Sequence, residues 1–143
     1  MTEPVTSLTP ATLIDSCVLI DVLDGDPTWS SWSERELVAA RNRGRVVINP
    51  LIYSEVSIGY ATKEELEQAL PAAVFDREPL PWDAGFLAAR AFRAYRRNGG
   101  DRRSPLPDFY IGAHAAVAGY RLLTRDAARF RSYFPRLPVI APQ

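Results

Sequence analysis

Residues 12–23 read TLIDSCVLIDVL, and this stretch decides the fold class. The segment TLID, residues 12–15, is typical of a short buried strand, and it ends in an acid. The apolar residues behind it recur at helical spacing, namely Val18, Leu19, Val22 and Leu23. A strand that runs directly into a helix is the repeating unit of α/β proteins, so this stretch favours that class.

The same alternation continues along the chain. Further strands are predicted at 45–49, near 74–80, at 121–124 and at 137–141. Further helices are predicted at 27–43, 50–60, from 62 onward, from 83 to about 97, at 107–119 and at 126–134, with helix-starting residues Pro27, Asn49, Thr62 and Asp83. Short strands separated by helices predict an α/β domain with a mainly parallel sheet covered on both faces. We expect one domain over residues 1–143, with residues 1–11 as a flexible arm.

Composition narrows the setting in which the protein works. The apolar fraction is 47%, and no stretch approaches the run of about 20 apolar residues that a membrane span needs. The first ten residues lack the basic start and apolar run of a secretory signal. Cys17 is the one cysteine, so no disulfide forms within the chain. We therefore expect a protein of the cytoplasm with no membrane partner.

The zero net charge conceals two halves of opposite sign. Residues 1–80 hold thirteen acids and six bases, whereas residues 81–143 hold four acids and eleven bases. All eleven bases of the second half are arginines, whose planar guanidinium binds phosphate through two hydrogen bonds. Such asymmetry indicates nucleic-acid contact, although solvated helix surfaces are an equal alternative for each single arginine.

Three acids are predicted at junctions between strands, loops and helices. Asp15 ends the first strand, Asp126 follows the strand at 121–124, and Asp108 begins a helix after a proline-containing loop. In a parallel sheet, ligands bind outside the carboxyl ends of the strands. Helix capping is the alternative, because an Asp at a helix start accepts backbone hydrogen bonds and gains on the order of 1 kcal/mol.

Capping does not explain Glu55. In the predicted helix at 50–60, Glu55 shares a face with apolar or small residues, so it is expected to point into the protein. A buried carboxylate needs a partner, which is either an arginine or a metal ion shared with the junction acids. Clustered carboxylates repel unless a divalent cation offsets their charge, and Mg²⁺ prefers oxygen ligands. A metal in this setting activates water for hydrolysis of a phosphodiester.

Other site chemistries lack their residues. His114 and Cys17 are single, so neither a zinc cluster nor a Ser-His-Asp set is available. A receiver domain requires a late Lys, whereas Lys63 is the one lysine, and a dehalogenase-type phosphatase requires D-x-D where this chain has DSC. We expect His114 to be a packed or partly exposed residue rather than a general base, and Asp21 to lie on a solvated helix face rather than near the metal site. We expect the small residues Gly112, Ala115, Ala116 and Gly119 to bring their helix close to the sheet.

The ordered segments LIDSCVLIDVL, YSEV, LPDFYIGAHAAVAGYRLLTRDAARF and LPVI resemble the PIN-domain ribonucleases. The similarity is greatest to the VapC toxins of bacterial toxin-antitoxin pairs, and it covers residues 12–141. It implies a three-layer α/β/α sandwich, Mg²⁺- or Mn²⁺-dependent RNA cleavage, and a homodimer. It also implies a small VapB-like antitoxin whose tail occupies the active groove.

The resemblance also implies which residues form the site. The family's acidic quartet, its catalytic and metal-binding set, falls on Asp15, Glu55, Asp108 and Asp126. The hydroxyls of Ser16 and Thr124 match positions that orient acids, water or phosphate. Apart from the resemblance, we expect RNA phosphates at Arg102 and Arg103, in the loop beside Asp108, and at Arg125. Solvation of the loop is an equal alternative for Arg102 and Arg103. Two alternatives stay open: a PIN-like module that binds RNA or protein without cutting, and a housekeeping RNA-processing nuclease.

Overall fold

A computed structural model describes residues 11–100 and 106–143. Within them lie five strands: β1 (Thr12–Ile14), β2 (Val46–Ile48), β3 (Phe75–Arg77), β4 (Arg121–Leu123) and β5 (Val139–Ile140). They form one sheet in the order β3-β2-β1-β4-β5, and every neighbouring pair is parallel. The predicted α/β class and mainly parallel sheet are confirmed.

The described residues also form helices: α1 (Ser16–Asp24), α2 (Ser30–Arg43), α3 (Pro50–Ser57), α4 (Lys63–Ala69), α5 (Trp82–Arg97), α6 (Leu106–Ala118) and α7 (Ala127–Tyr133). The caps at Asn49 and Thr62 are confirmed, since each side chain accepts a hydrogen bond from the backbone three residues on. Two predicted starts are wrong. Asp26 accepts from the backbone of Thr28 and Trp29, which delays α2, and α5 begins before Asp83.

The strand order explains how helices come to cover both faces. Connections between parallel strands are right-handed, so the chain's path from β1 to β3 places its helices on one face. The path from β3 across to β4 and β5 runs in the opposite direction and places its helices on the other face. Accordingly α1 packs against α2 and α3, whereas α5 packs against α6 and α7. The PIN-like three-layer arrangement is confirmed.

Strands β1 and β4 are the point at which the sheet changes direction. Ile14 pairs with Leu123, and the backbone amide of Asp15 donates to the Leu123 carbonyl over 2.9 Å. After β1 the chain leaves toward β2, and after β4 it leaves toward β5 on the other side. Diverging connections open a crevice at the carboxyl ends of the two strands, which is where α/β proteins bind ligands.

Ala11 is the first residue that the structure describes. Ala11 is buried, and its carbonyl accepts from the amide of Arg121, so it belongs to the core rather than to the predicted arm. The rest of that arm, residues 1–10, lies outside the described part of the chain. Within residues 11–100 and 106–143, no helix combines the length and apolarity needed to cross a lipid bilayer.

A buried polar group joins α3, α6 and the end of β3. The Asn49 carbonyl oxygen accepts from the Ile52 amide, so its amino group faces His114 Nδ1 at 3.0 Å. His114 Nε2 lies 3.5 Å from a Glu78 carboxylate oxygen. Burial lowers the pKa of His114, which is 1% exposed, so the ring is neutral. The expectation that His114 is a packed residue is confirmed.

Gly112 is the position where α6 meets α7 most closely. A Cβ at Gly112 would lie 2.6 Å from Cε2 of Phe134 and 3.0 Å from Cδ1 of Phe130, and both rings are buried. Ala116 and Gly119 are exposed, and Gly119 ends the helix region with a φ of 74°. The close approach expected of these small residues therefore occurs at Gly112, and it is an approach to α7 rather than to the sheet. The prediction for Ala116 and Gly119 is wrong.

We expect Gly112→Ala to lower the free energy of unfolding by about 1 to 2 kcal/mol, because overpacking outweighs the helix-propensity gain. The matched control is Gly85→Ala in α5, whose Cβ would meet Tyr110 Oη at an ordinary 3.4 Å. In the control, the free energy of unfolding should rise by about 0.5 kcal/mol. Urea unfolding measures both; equal effects would mean that the α6–α7 contact tolerates a methyl group.

Candidate active site

Asp15 occupies the crevice between β1 and β4. Its Oδ1 accepts from the amide of Ser16 over 2.8 Å, which caps α1, so the predicted capping role is real. Its Oδ2 accepts from the Thr124 hydroxyl over 2.8 Å, and Thr124 directly follows β4. Because the two strands are paired, the register of the sheet fixes this carboxylate from both sides.

The surroundings of Asp15 disfavour its charge. Burial raises its pKa from 3.8 to about 6, and the charges of Asp108 and Glu55 act in the same direction. The hydrogen bonds from Thr124 and Ser16 act in the opposite direction but do not offset the burial. A carboxylate held with a raised pKa beside other acids is a feature of functional sites.

Glu55 is joined to Asp15 through Ser16. The Ser16 hydroxyl donates to Glu55 Oε1 over 2.7 Å, while the Ser16 amide binds Asp15. Glu55 is partly buried, and within the described residues its side chain binds Ser16 and forms no ion pair with an arginine. The contact joins the start of α1 to α3 across 39 residues of sequence.

Asp126 is joined to Asp15 through Thr124. Its amide donates to the Thr124 hydroxyl over 3.0 Å, and its carboxylate is exposed without capping α7. The capping alternative for Asp126 is therefore wrong. We call the hydrogen-bonded series Glu55, Ser16, Asp15, Thr124 and Asp126 the acidic row.

Asp108 reaches the acidic row by its charge rather than by a hydrogen bond. It lies in the first turn of α6, and Arg129 Nη1 donates to its Oδ2 over 2.6 Å. Burial raises the pKa of Asp108 although Arg129 opposes the shift, and the charge of Asp126 raises it further. The Arg129 guanidinium is held over the rings of Tyr95 and Phe109 at 5.5 and 5.7 Å.

The predicted quartet thus gathers at one crevice, but not as a closed metal cage. In the part of the chain that the structure describes, no three acidic, His or Cys side chains are grouped so as to hold a metal ion. Mg²⁺ needs only one or two protein carboxylates and takes its other oxygens from water and phosphate. The oxygen donors and the unfavourable charge at Asp15 fit a hard divalent cation.

Cys17 lies behind Asp15. Its sulfur donates to Asp15 Oδ2 over 3.6 Å and lies 3.7 Å from the Thr124 hydroxyl. Burial, and then the charge of Asp15, raise the pKa of the thiol to about 12. Cys17 is therefore a neutral thiol that closes the inner side of the crevice.

The basic residues expected to bind RNA are only partly described. Arg102 and Arg103 lie outside the described residues. Arg125 Nε and Nη2 donate to Asp21 over 2.6 and 3.0 Å, and its guanidinium stacks over Trp29. Its guanidinium is therefore already engaged, and its RNA contact stays a prediction. Asp21 is 2% exposed, so the expectation of a solvated Asp21 is wrong.

We expect Asp21→Ala to lower the free energy of unfolding by about 2 to 4 kcal/mol, because it leaves the partly buried Arg125 and the buried Ser33 without their shared acceptor. The double variant Asp21→Leu with Arg125→Met should recover part of the loss, since it removes both charges. Urea unfolding of Asp21→Leu, of Arg125→Met and of the double variant gives the coupling energy. Additive losses would mean that the pair does not anchor the loop after β4.

Sequence reasoning missed Asp21 and Arg129. Asp21 follows Val18 by three residues, so it shares the buried face of α1, and this spacing was a usable signal. Its partner Arg125 is 104 residues away, which no local pattern reveals. The pairing of Arg129 with Asp108 depends on how α6 packs against α7, and it had no signal in the sequence.

The fold has solved counterparts that share little sequence. VapBC2 of Rickettsia felis bound to a promoter DNA fragment matches with a TM-score of 0.72 at 14% identity, over 93% of this chain and 99% of that one. A Klebsiella pneumoniae toxin-antitoxin complex matches with a TM-score of 0.67 at 24% identity, over 93% of this chain and 98% of that one. FitAcB of Neisseria gonorrhoeae matches with a TM-score of 0.69 at 17% identity, over 92% of this chain and 97% of that one.

Sequence comparison agrees with the strand order and the crevice. No curated protein sequence is significantly similar to this chain. A family model described as PIN domain matches residues 12–133, from the start of β1 to the end of α7. These are the limits within which the structure places the parallel strands β1 to β4 and the acidic row. The chain therefore belongs to the PIN domain family.

Proposed function

We propose that this protein is a metal-dependent endoribonuclease that hydrolyses RNA phosphodiester bonds. The observation that carries the proposal is Asp15, a carboxylate whose pKa is raised to about 6 among neighbouring acids at the switch point of the sheet. Such a carboxylate is unfavourable by itself and favourable beside a cation. The arginine-rich second half of the chain supports a phosphate-bearing substrate.

Each acid has a proposed task. Asp15, with Asp108, Glu55 and Asp126 around it, would hold Mg²⁺ or Mn²⁺. A bound divalent cation supplies a polarised phosphoryl group and a water of lowered pKa. Ser16 and Thr124 fix the direction of the Asp15 carboxylate, and the Ser16 hydroxyl fixes Glu55 as well. Thr124 also holds the turn that presents Asp126, through the Asp126 amide.

We assign the protein to the toxins of type II toxin-antitoxin pairs. The solved structures similar to it in fold are described as VapBC and toxin-antitoxin complexes. An apolar groove of about 270 Å³ beside Glu55, lined by Ile20, Leu23 and Ile58 among others, suits the tail of a small VapB-like antitoxin. Homodimerisation and action in the cytoplasm are parts of the same proposal.

A non-catalytic module is the competing function, and one observation favours it. Arg129 already neutralises Asp108 in this structure, as expected of a structural ion pair. The deciding experiment incubates purified protein with total bacterial RNA in Mg²⁺, Mn²⁺ or EDTA. Cutting at a few sites with either metal, and none in EDTA, supports the nuclease. A folded protein that binds RNA but never cuts it would support the module.

A further inference from the structure

The last two turns of α5 carry a basic concave surface outside the acidic row. We call it the arginine cleft; its volume is about 410 Å³, and it is lined by Phe92, Arg93, Arg96, Arg97 and Gly100. All three arginines are exposed, and they lie three and four residues apart, so their guanidinium groups share one surface. The cleft therefore concentrates positive charge in a concave site.

Within the described residues, the cleft arginines, like several other arginines of this chain, have no carboxylate partner. Arg45, Arg77, Arg125 and Arg129 each form an ion pair with a carboxylate. Within the described residues, those of the cleft form none, and the one aromatic contact is that of Arg96 over the Phe92 ring at 5.8 Å. Like charges three and four residues apart destabilise a helix, and no carboxylate in the described chain pairs with these three to offset that repulsion.

The helix dipole explains only part of the pattern. Arg96 and Arg97 lie in the last turn of α5, where a cation meets the negative end of the dipole. Arg93 lies a turn earlier, outside the reach of that effect, yet it completes the same surface. A negatively charged ligand accounts for all three.

The cleft is close to the acidic row. Gly100, which lines the cleft, lies directly against the ring of Tyr95, and the Arg129 guanidinium lies over the same ring at 5.5 Å. The same guanidinium donates to Asp108 over 2.6 Å. One aromatic side chain and one cation therefore separate the cleft from the acid that begins α6.

We propose that the arginine cleft binds backbone phosphates of single-stranded RNA next to the bond that the acidic row cuts. The inference rests on the proposed nuclease function and names a binding surface for its substrate. Each guanidinium is able to bind a phosphate through two parallel hydrogen bonds. Phosphate contacts of this kind set position and carry no sequence information, so the cleft orients RNA regardless of its bases.

The test uses two double variants. The cleft variant carries Arg93→Gln and Arg97→Gln, and the control variant carries Arg35→Gln and Arg136→Gln. Both double variants remove two exposed positive charges, and Arg35 and Arg136 lie outside the cleft. The probe is a fluorescein-labelled single-stranded RNA in EDTA, and anisotropy gives the dissociation constant at several salt concentrations. Each lost phosphate contact should lower the slope of log affinity against log salt by about 0.7, so the cleft variant should lose about 1.4.

The outcomes separate the cleft from the nuclease. A lower slope in the cleft variant and an unchanged slope in the Arg35/Arg136 variant support the cleft. Equal slopes in all three proteins, or no binding by the wild type, overturn it, as does a change seen only in sedimentation, which would indicate a protein contact. Wild-type cleavage in Mg²⁺ is scored separately, so a protein that binds through the cleft without cutting refutes only the nuclease.

Discussion

Asp108→Asn should lower metal-dependent RNA cleavage at least about 100-fold while leaving the protein folded. Loss of a residue that merely supports a metal ligand commonly costs 10- to 100-fold, so loss of a ligand should cost no less. Asn is nearly isosteric and keeps one oxygen that is able to accept from Arg129, which now binds Asp108. The measurement is the initial rate of cutting at the sites found with the wild type, beside the unfolding midpoint of both proteins.

The matched control is Asp83→Asn. Asp83 also lies in the first turn of a helix, and it is exposed and has no ion pair within the described residues. Asp83→Asn removes the same charge at a helix start away from the predicted quartet, so its cleavage rate should equal that of the wild type. Full activity of Asp108→Asn would mean that Asp108 serves α6 and Arg129 alone.

Asp15→Asn should abolish metal binding and yet stabilise the metal-free protein. The pKa of Asp15 is raised from 3.8 to about 6, and a shift of that size corresponds to about 3 kcal/mol. An uncharged amide removes this cost, but its amino group faces the Thr124 hydroxyl less favourably than oxygen does. We expect the free energy of unfolding of metal-free Asp15→Asn to exceed that of the wild type by about 1 to 2 kcal/mol at pH 7.5.

The sign of the pH dependence follows from the direction of that shift. Between about pH 4 and 6 the folded protein holds a proton on Asp15 that the unfolded chain has lost, so stability falls as the pH rises through this range. Well above pH 6 the wild type bears the full cost in stability, whereas near pH 4 it bears only a small part of it. The stability difference between wild type and variant should therefore shrink as the pH is lowered from 7 to 4.

Bound metal should make the wild type more stable than Asp15→Asn, which reverses the order expected without metal. Mg²⁺ or Mn²⁺ should raise the unfolding temperature of the wild type and leave that of Asp15→Asn unchanged. Below pH 6, metal binding must release the Asp15 proton, so affinity should fall about tenfold per pH unit. Thermal unfolding with and without Mn²⁺ gives the unfolding temperatures, and calorimetric titration with Mn²⁺ at pH 5.5 and 7.5 gives the affinities. A variant that binds Mn²⁺ as tightly as the wild type would place the ion away from Asp15.

The sequence was sufficient where local patterns set the structure. The apolar run at 12–15 and the helical spacing behind it predicted β1 and α1, and Asn49 and Thr62 predicted the starts of α3 and α4. The parallel sheet followed from alternation alone. Boundaries failed where a side chain formed a competing local contact, as Asp26 does before α2.

The site was predicted in its composition but not in its connections. The acids at strand ends were expected to meet, and the pairing of β1 with β4 brings Asp15 and Thr124 together. The bond from Ser16 to Glu55 and the pairing of Arg129 with Asp108 depend on helix packing. Such contacts arise from tertiary geometry, so only the folded chain shows which acid binds an arginine and which retains an unfavourable charge.

The neutral thiol of Cys17 has a practical consequence for following motion in the crevice. With its pKa near 12, it forms about a thousandth of the reactive thiolate that an ordinary cysteine forms at pH 8. A thiol reagent therefore modifies the chain slowly while Cys17 keeps its contact with Asp15. Because Cys17 is the one cysteine, mass spectrometry of the labelled chain follows this single position, and a change in the labelling rate reports a change around Asp15 without any need for a substrate.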